Sequence, residues 1–112
     1  MDCLFCKIIA GEIPSKKVYE DDQIYEFYDI EPQAKTHVLI VPKAHIQGVG
    51  EITAENSDVI AHIFERLPSL AKQMGLDGGF RVVTNWGDDG CQSVKHLHFH
   101  LLGGQKLSGQ MC

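Results

Sequence analysis

Just after Lys95 the chain reads HLHFHLL, and no other stretch restricts its fold as tightly. Alternation with a period of two marks an extended strand with two unlike faces. His96, His98 and His100 then project to one side, and Leu97, Phe99 and Leu101 to the other. Half of the chain's 6 histidines stand on that one strand. Its apolar side demands a core; its imidazole side demands a partner, whether water, metal or substrate.

The rest of the sequence supplies what such a strand needs. With 112 residues, the chain is long enough for one hydrophobic core and too short for two, so residues 1–112 are read as a single domain. KKVYE and QIYEFYDI, separated by Asp21–Asp22, are read as a hairpin. THVLIVP is a third strand, ended by Pro42, and FRVVTN is a fourth. Apolar residues at 4, 5, 8 and 9 ahead of Gly11 suit a short N-terminal helix. Thr53 reads as an N-cap with Glu55 in the first turn of a long amphipathic helix, whose apolar stripe runs Ile60, Ile63, Phe64, Leu67, Leu70, Ala71 and Met74. Pro68 sits inside that helix and is expected to bend or shorten it, and Gly75 to end it. About five strands joined largely by hairpins, one long helix and a short N-terminal helix make an α+β fold with a mainly antiparallel sheet.

If the long helix covers one face of this sheet, the other face meets water or a ligand. Parity then places Phe27 with Asp29 and His37 with Leu39. Asn85 falls at the end of the strand expected beside the histidine strand. Apolar walls with a few placed polar groups are what a pocket for a small amphipathic molecule requires.

Composition narrows the partners. A formal net charge of −5 gives no basic footprint for long nucleic acid. No apolar run approaches the ~18 residues of a membrane span, and the start, MDCLFCKIIAGEIP, carries no cationic region followed by an apolar block. The expectation is a cytoplasmic protein with no membrane or nucleic-acid partner, in which Cys3, Cys6, Cys91 and Cys112 stay reduced. Cys3-Leu4-Phe5-Cys6 is then a metal half-site or a redox pair, and the CxxC spacing alone does not choose.

Three histidines in register cannot all serve one ion. Residues two apart on a strand are separated by ~6.6 Å and residues four apart by ~13 Å, against Zn–N bonds of ~2.0–2.1 Å. The alternative is nucleophilic catalysis. A neutral imidazole whose second nitrogen is held by a carbonyl keeps a lone pair with which to displace a leaving group from phosphorus. The negative charge developing on the phosphoryl oxygens then needs donors around it. Ser93 precedes the strand in the loop WGDDGCQS, where Gly87 and Gly90 permit close backbone approach.

QSVKHLHFHLL resembles the signature of the histidine triad (HIT) family of nucleotide hydrolases and transferases, His-φ-His-φ-His-φ-φ with φ apolar. CLFCKIIAGEIPS, VYEDD, FYDIEPQAKTHVLIVPKAHI and the LLGG after the triad extend the resemblance over nearly the whole chain. The nearest branch is the Hint-like one of small homodimeric purine nucleoside phosphoramidases. The resemblance implies a HIT-like fold, a homodimer, and hydrolysis of the bond between the α-phosphate of a purine nucleoside monophosphate and an amine, with no cofactor needed for catalysis. It makes His98 the nucleophile, forming a nucleotidyl-histidine intermediate. His96 orients it through its backbone carbonyl, His100 binds phosphate, Ser93 contacts phosphate and assists the leaving group, and His37 stands near the leaving group. Asn85 becomes a phosphate-side amide and Asp29 the carboxylate for both ribose hydroxyls. Phe5, Ile8, Ile13, Phe27, Ile30, Leu39 and Val94 line the nucleotide.

Members of the family with CxxC near the amino terminus hold a structural zinc through a set that corresponds here to Cys3, Cys6, His45 of PKAH, and His96. Two thiolates and two imidazoles close a tetrahedron and leave no position for activating water. Three places depart from the Hint-like pattern: Cys91 where glycine is usual, Lys95 where an aromatic residue is common, and a short ending, QKLSGQMC. Other activities compatible with the residues are dinucleoside polyphosphate hydrolysis, a nucleotide-binding or interaction module, and a zinc protein whose histidines serve only metal.

Overall fold

A computed structural model describes residues 3–111; Cys112, expected above to be a reduced thiol, lies outside them. Helix α1 (Leu4–Ile9) is followed by strands β1 (Lys17–Glu20), β2 (Ile24–Tyr28) and β3 (Thr36–Pro42). A single 3₁₀ turn at Val49–Glu51 leads to helix α2 (Ser57–Gln73), and β4 (Phe80–Val83) and β5 (Phe99–Gly103) complete the chain. The five strands form one antiparallel sheet in the order β1-β2-β3-β5-β4, as the α+β reading expected.

Pleat alternation divides the residues between two cores. Ile24 of β2, Val38 and Ile40 of β3, and Phe99 and Leu101 of β5 pack with Ile63, Leu67 and Leu70 of α2. On the opposite face Tyr25 and Phe27 of β2 and Leu39 and Val41 of β3 pack with Cys3, Phe5 and Ile8. This second face is therefore not left open: α1 covers part of it and bounds what remains.

Three local expectations change in detail. The histidine strand begins only at Phe99, because the segment before it leaves the sheet for other partners: the Leu97 N–H donates to the Ile46 carbonyl at 2.6 Å. Helix α2 begins at Ser57 rather than after Thr53. Thr53 heads a preparatory turn in which its hydroxyl accepts from the Glu55 N–H at 3.2 Å and its carbonyl from the Ser57 N–H at 2.9 Å. Pro68 does not shorten the helix, which continues to Gln73. It and Phe64, the residue whose carbonyl it leaves without an N–H, are both exposed, so water can reach that carbonyl.

Candidate active site

The second face of the sheet holds a cavity of about 260 Å³. Phe5 and Ile8 of α1 and Ile13 close one side, Phe27 of β2 and Leu39 of β3 form the floor, and Asp29 and Ile30 stand just past β2. Ser93, Val94, His98 and His100 close the other side. Leu4 and Pro14 also line it, two residues the sequence reading did not assign to the site. Asn85 lies two residues past β4, half-buried, and is not among the lining residues. His37 lies behind His100, and His96 is fully buried.

The hydrogen bonds fix which nitrogen of each ring carries the proton. His98 Nδ1 lies 2.7 Å from the His96 carbonyl. A carbonyl only accepts, so Nδ1 holds the proton and Nε2 keeps its lone pair. Burial pushes the His98 pKa below the ordinary imidazole value, against the opposing effect of that hydrogen bond, so the ring is neutral at pH 7. Phe5 packs edge-on against it with centroids 5.0 Å apart, and the Thr84 hydroxyl donates to the His98 carbonyl at 2.8 Å. The ring is thus held by its backbone, its Nδ1–H and one flank, leaving Nε2 as its unspent atom.

His100 receives the opposite assignment through a relay. The Gln33 backbone N–H donates to His37 Nδ1 at 3.0 Å, so neutral His37 carries its proton on Nε2. That N–H donates to His100 Nδ1 at 2.8 Å, which leaves the His100 proton on Nε2. Burial and the neighbouring rings of His98 and His37 push the His100 pKa down to about 4, and burial also lowers that of His37. One triad ring thus offers a lone pair and the next an N–H donor, a pairing suited to attack on a phosphorus whose oxygens gain charge. The same chain of bonds argues against a metal at the group Asp29, His37 and His100, whose ligand-type atoms lie within 4.8 Å of one another. His37 Nε2 is protonated there and cannot coordinate. Asp29 instead accepts the Glu31 N–H at 2.8 Å and lies 3.5 Å from His37 Nε2.

His96 faces elsewhere. Its Nε2–H donates to the Pro42 carbonyl at 2.8 Å, turning the Nδ1 lone pair toward Cys3 Sγ at 3.4 Å and Cys6 Sγ at 3.5 Å. Cys6 Sγ is also 3.4 Å from His45 Nδ1, and all four ligand atoms lie within 4.8 Å of one another. Zn–S bonds of ~2.3 Å and Zn–N bonds of ~2.0–2.1 Å at tetrahedral angles require S···N edges of about 3.5 Å, so the donor set and its spacing fit zinc. A carbonyl fixing the far nitrogen of a ligand histidine is the usual support of such a site. Burial, followed by the Cys3 sulfur beside it, pushes the Cys6 thiol up to about 11, a penalty on the thiolate that a divalent cation would reverse.

Gln92 organises the loop that delivers Ser93, and sequence reasoning gave it no role. Its buried side chain accepts the Gly87 N–H at 3.1 Å and donates to the Gln47 and Val94 carbonyls at 2.7 and 3.1 Å. Cys91, just before it, has φ 58°, the left-handed region that favours glycine.

Residues 10–107 match the family model described as the HIT domain. The chain is 44% identical over 109 residues to a 14 kDa zinc-binding protein of Brassica juncea, covering 96% of each. It is 42% identical over 107 residues to the adenylylsulfatase HINT1 of Arabidopsis thaliana, covering 94% of this chain and 73% of that protein. Among solved structures, a HIT family hydrolase from Clostridium thermocellum superposes with a TM-score of 0.95 at 41% identity, covering 99% of this chain and 97% of that one.

Proposed function

This chain belongs to the HIT family, and from that premise we propose that it hydrolyses the P–N bond of purine nucleoside 5′-phosphoramidates through a nucleotidyl-histidine intermediate. The observation that carries the reading is the pair of opposed tautomers, His98 with a free Nε2 lone pair and His100 with a free Nε2–H, beside one apolar slot. The base lies among Phe5, Ile8, Ile13, Phe27 and Leu39. Asp29 accepts the ribose hydroxyls, and the α-phosphate sits between His98, His100 and Ser93. Attack of His98 Nε2 on phosphorus forms an N–P bond as the bond to the amine breaks, and the amine leaves with a proton from solvent relayed through the Ser93 hydroxyl. Water then displaces His98 from phosphorus and gives up one proton to solvent, replacing the one the amine took, as the nucleoside monophosphate is released and the neutral ring restored. Each step is a displacement at phosphorus, and neither needs a metal at the reacting atoms.

Cys3, Cys6, His45 and His96 hold a structural zinc, whose chemistry when bound is to keep both thiols ionised and fix α1 against the sheet. Relatives named zinc-binding proteins support this. A cytoplasmic location suits ligands that must stay reduced, and no described helix is long and apolar enough to cross a membrane. β4 is an edge strand whose Phe80 is exposed, which supports a homodimer.

The deciding experiment quenches the enzyme with denaturant at alkaline pH during turnover of an adenosine 5′-phosphoramidate and maps the nucleotidyl adduct by peptide mass. We expect the adduct on His98, and His98→Ala to lose at least ~10³-fold in kcat while still binding adenosine monophosphate. Equal turnover by variant and wild type would rule the mechanism out. The relative named an adenylylsulfatase adds adenosine 5′-phosphosulfate to the substrates to compare, beside diadenosine polyphosphates.

A further inference from the structure

The cavity beside the triad is smaller than its proposed ligand. At about 260 Å³ it falls below the ~300–1,000 Å³ of sites that engulf small molecules, so part of the substrate must extend beyond it. A second cleft of about 720 Å³ opens from it, sharing Pro14, Asp29 and Ile30 as common wall. Ile30 is 93% exposed at that junction, an apolar side chain standing free between the two spaces. The cleft ends inward at His37, has Tyr28 on one wall, and carries Lys16 and Lys35.

Those two lysines differ from the three that face a carboxylate. Lys17 and Lys43 are paired with Glu20 at 3.2 and 2.7 Å, and Lys95 lies 3.9 Å from Asp88. Among the described residues, neither the Lys16 nor the Lys35 ammonium meets a carboxylate. Among the described residues, the Asp29 carboxylate is the one negative group in the cleft lining, and it is engaged by the Glu31 N–H. A chain of net charge −5 thus turns locally cationic at the continuation of its nucleotide slot.

We infer that this cleft is an anion subsite, which takes a second negatively charged group, phosphate or carboxylate, carried by the nucleotide substrate beyond its α-phosphate. The inference rests on the nucleotide reading above. Two attachment points share this chemistry: a phosphate ester on the ribose, and a carboxylate on the amine leaving group. Two solvent-exposed lysine contacts give a modest effect, about fivefold in affinity, that salt weakens.

Calorimetry on His98→Ala, which binds without turning over, tests this with three ligands: adenosine 5′-phosphoramidate of an uncharged amine, the same nucleotide joined to an amino acid through its amine, and the first compound bearing a 3′-phosphate. We expect one charged ligand to bind about fivefold tighter than the uncharged one, the advantage to shrink as salt rises, and to vanish when Lys16→Met and Lys35→Met are added. In the His98 enzyme the lysine substitutions leave turnover of the uncharged substrate unchanged. A preference confined to the amino-acid ligand assigns the cleft to the leaving group, and one confined to the 3′-phosphate assigns it to the ribose. Equal affinities for all three, or a preference that survives both substitutions, overturn the subsite while leaving the hydrolase intact. No binding by any of the three overturns both readings together.

Discussion

The two faces of the sheet handle polar groups in opposite ways. On the α2 face the core is apolar, and its buried charge, Glu26 at 0% exposure, is closed off by Arg66, whose guanidinium donates to its two carboxylate oxygens at 2.9 and 3.4 Å and also lies 3.7 Å over the Tyr19 ring. Both oxygens of that carboxylate are thus spent. On the α1 face His37, His96, His98 and His100 each use one nitrogen to fix the ring. The other nitrogen goes to the cysteines, to a neighbouring ring or to the cavity. No buried side-chain nitrogen or oxygen among the described residues lacks a partner, so an imidazole nitrogen that shows none is one a ligand can reach. The difference teaches where to look for chemistry: at polar groups positioned by one bond and unspent in the other.

The largest expected effect tests whether the α1 face depends on the zinc proposed at its cysteine–histidine cluster as the α2 face depends on packing. Helix α1 is six residues long, too short to persist by itself, yet it carries Phe5 and Ile8 into the wall of the cavity beside the triad. Zinc held at a thousand times its dissociation constant adds about 4 kcal/mol to the folded state. Stripping it with a strong chelator should lower the melting temperature by many degrees, expose the segment around residues 10–15 to proteolysis, and weaken adenosine monophosphate binding. A chelated protein that melts and binds unchanged would show that α1 is held by its apolar contacts alone.

Next comes a pair of substitutions, one for each face. Leu101 is fully buried against α2, and Leu101→Ala should cost about 3 kcal/mol in denaturant unfolding, transfer and cavity contributions together. His98→Ala opens into an existing cavity and should cost less than about 1 kcal/mol while removing turnover. If the two variants lose equal stability, the division between a packing face and a reacting face fails.

Alternation was the legible part of this molecule because pleating is a local rule. It placed Phe27 with Asp29, His37 with Leu39, and the triad opposite Leu97, Phe99 and Leu101, and the two cores follow that parity. The helix periodicity survived Pro68 because the proline sits on the solvent side. What stayed hidden were acceptors and donors that any residue type could supply: the Pro42 carbonyl that turns His96 toward the cysteines, and the Gln33 N–H that sets the His37 tautomer. Backbone groups have no sequence signature. Gln92 was hidden for another reason, since a glutamine reads as surface until its three bonds across the loop are seen. The start of β5 lies later than the alternation implies because ladder pairing begins only at Phe99, after a bend that reaches His96 and that alternation of residue types does not reveal.

Cys91 gives the smallest effect and sharpens the comparison within the α1 face, since it lies in the loop beside the triad without lining its cavity. It is the one non-glycine residue with positive φ among those described, at 58°, and its side chain is an exposed free thiol. For an ordinary residue that conformation costs roughly 1 kcal/mol that glycine avoids, partly returned through the greater freedom of glycine in the unfolded chain. Cys91→Gly should therefore raise stability by about 0.5 kcal/mol in denaturant unfolding with kcat unchanged. The Gly87 N–H and the Gln47 and Val94 carbonyls hold the loop through Gln92 whatever stands at position 91. A fall in kcat on this substitution would mean that the cysteine backbone, not the glutamine clamp, sets the position of Ser93.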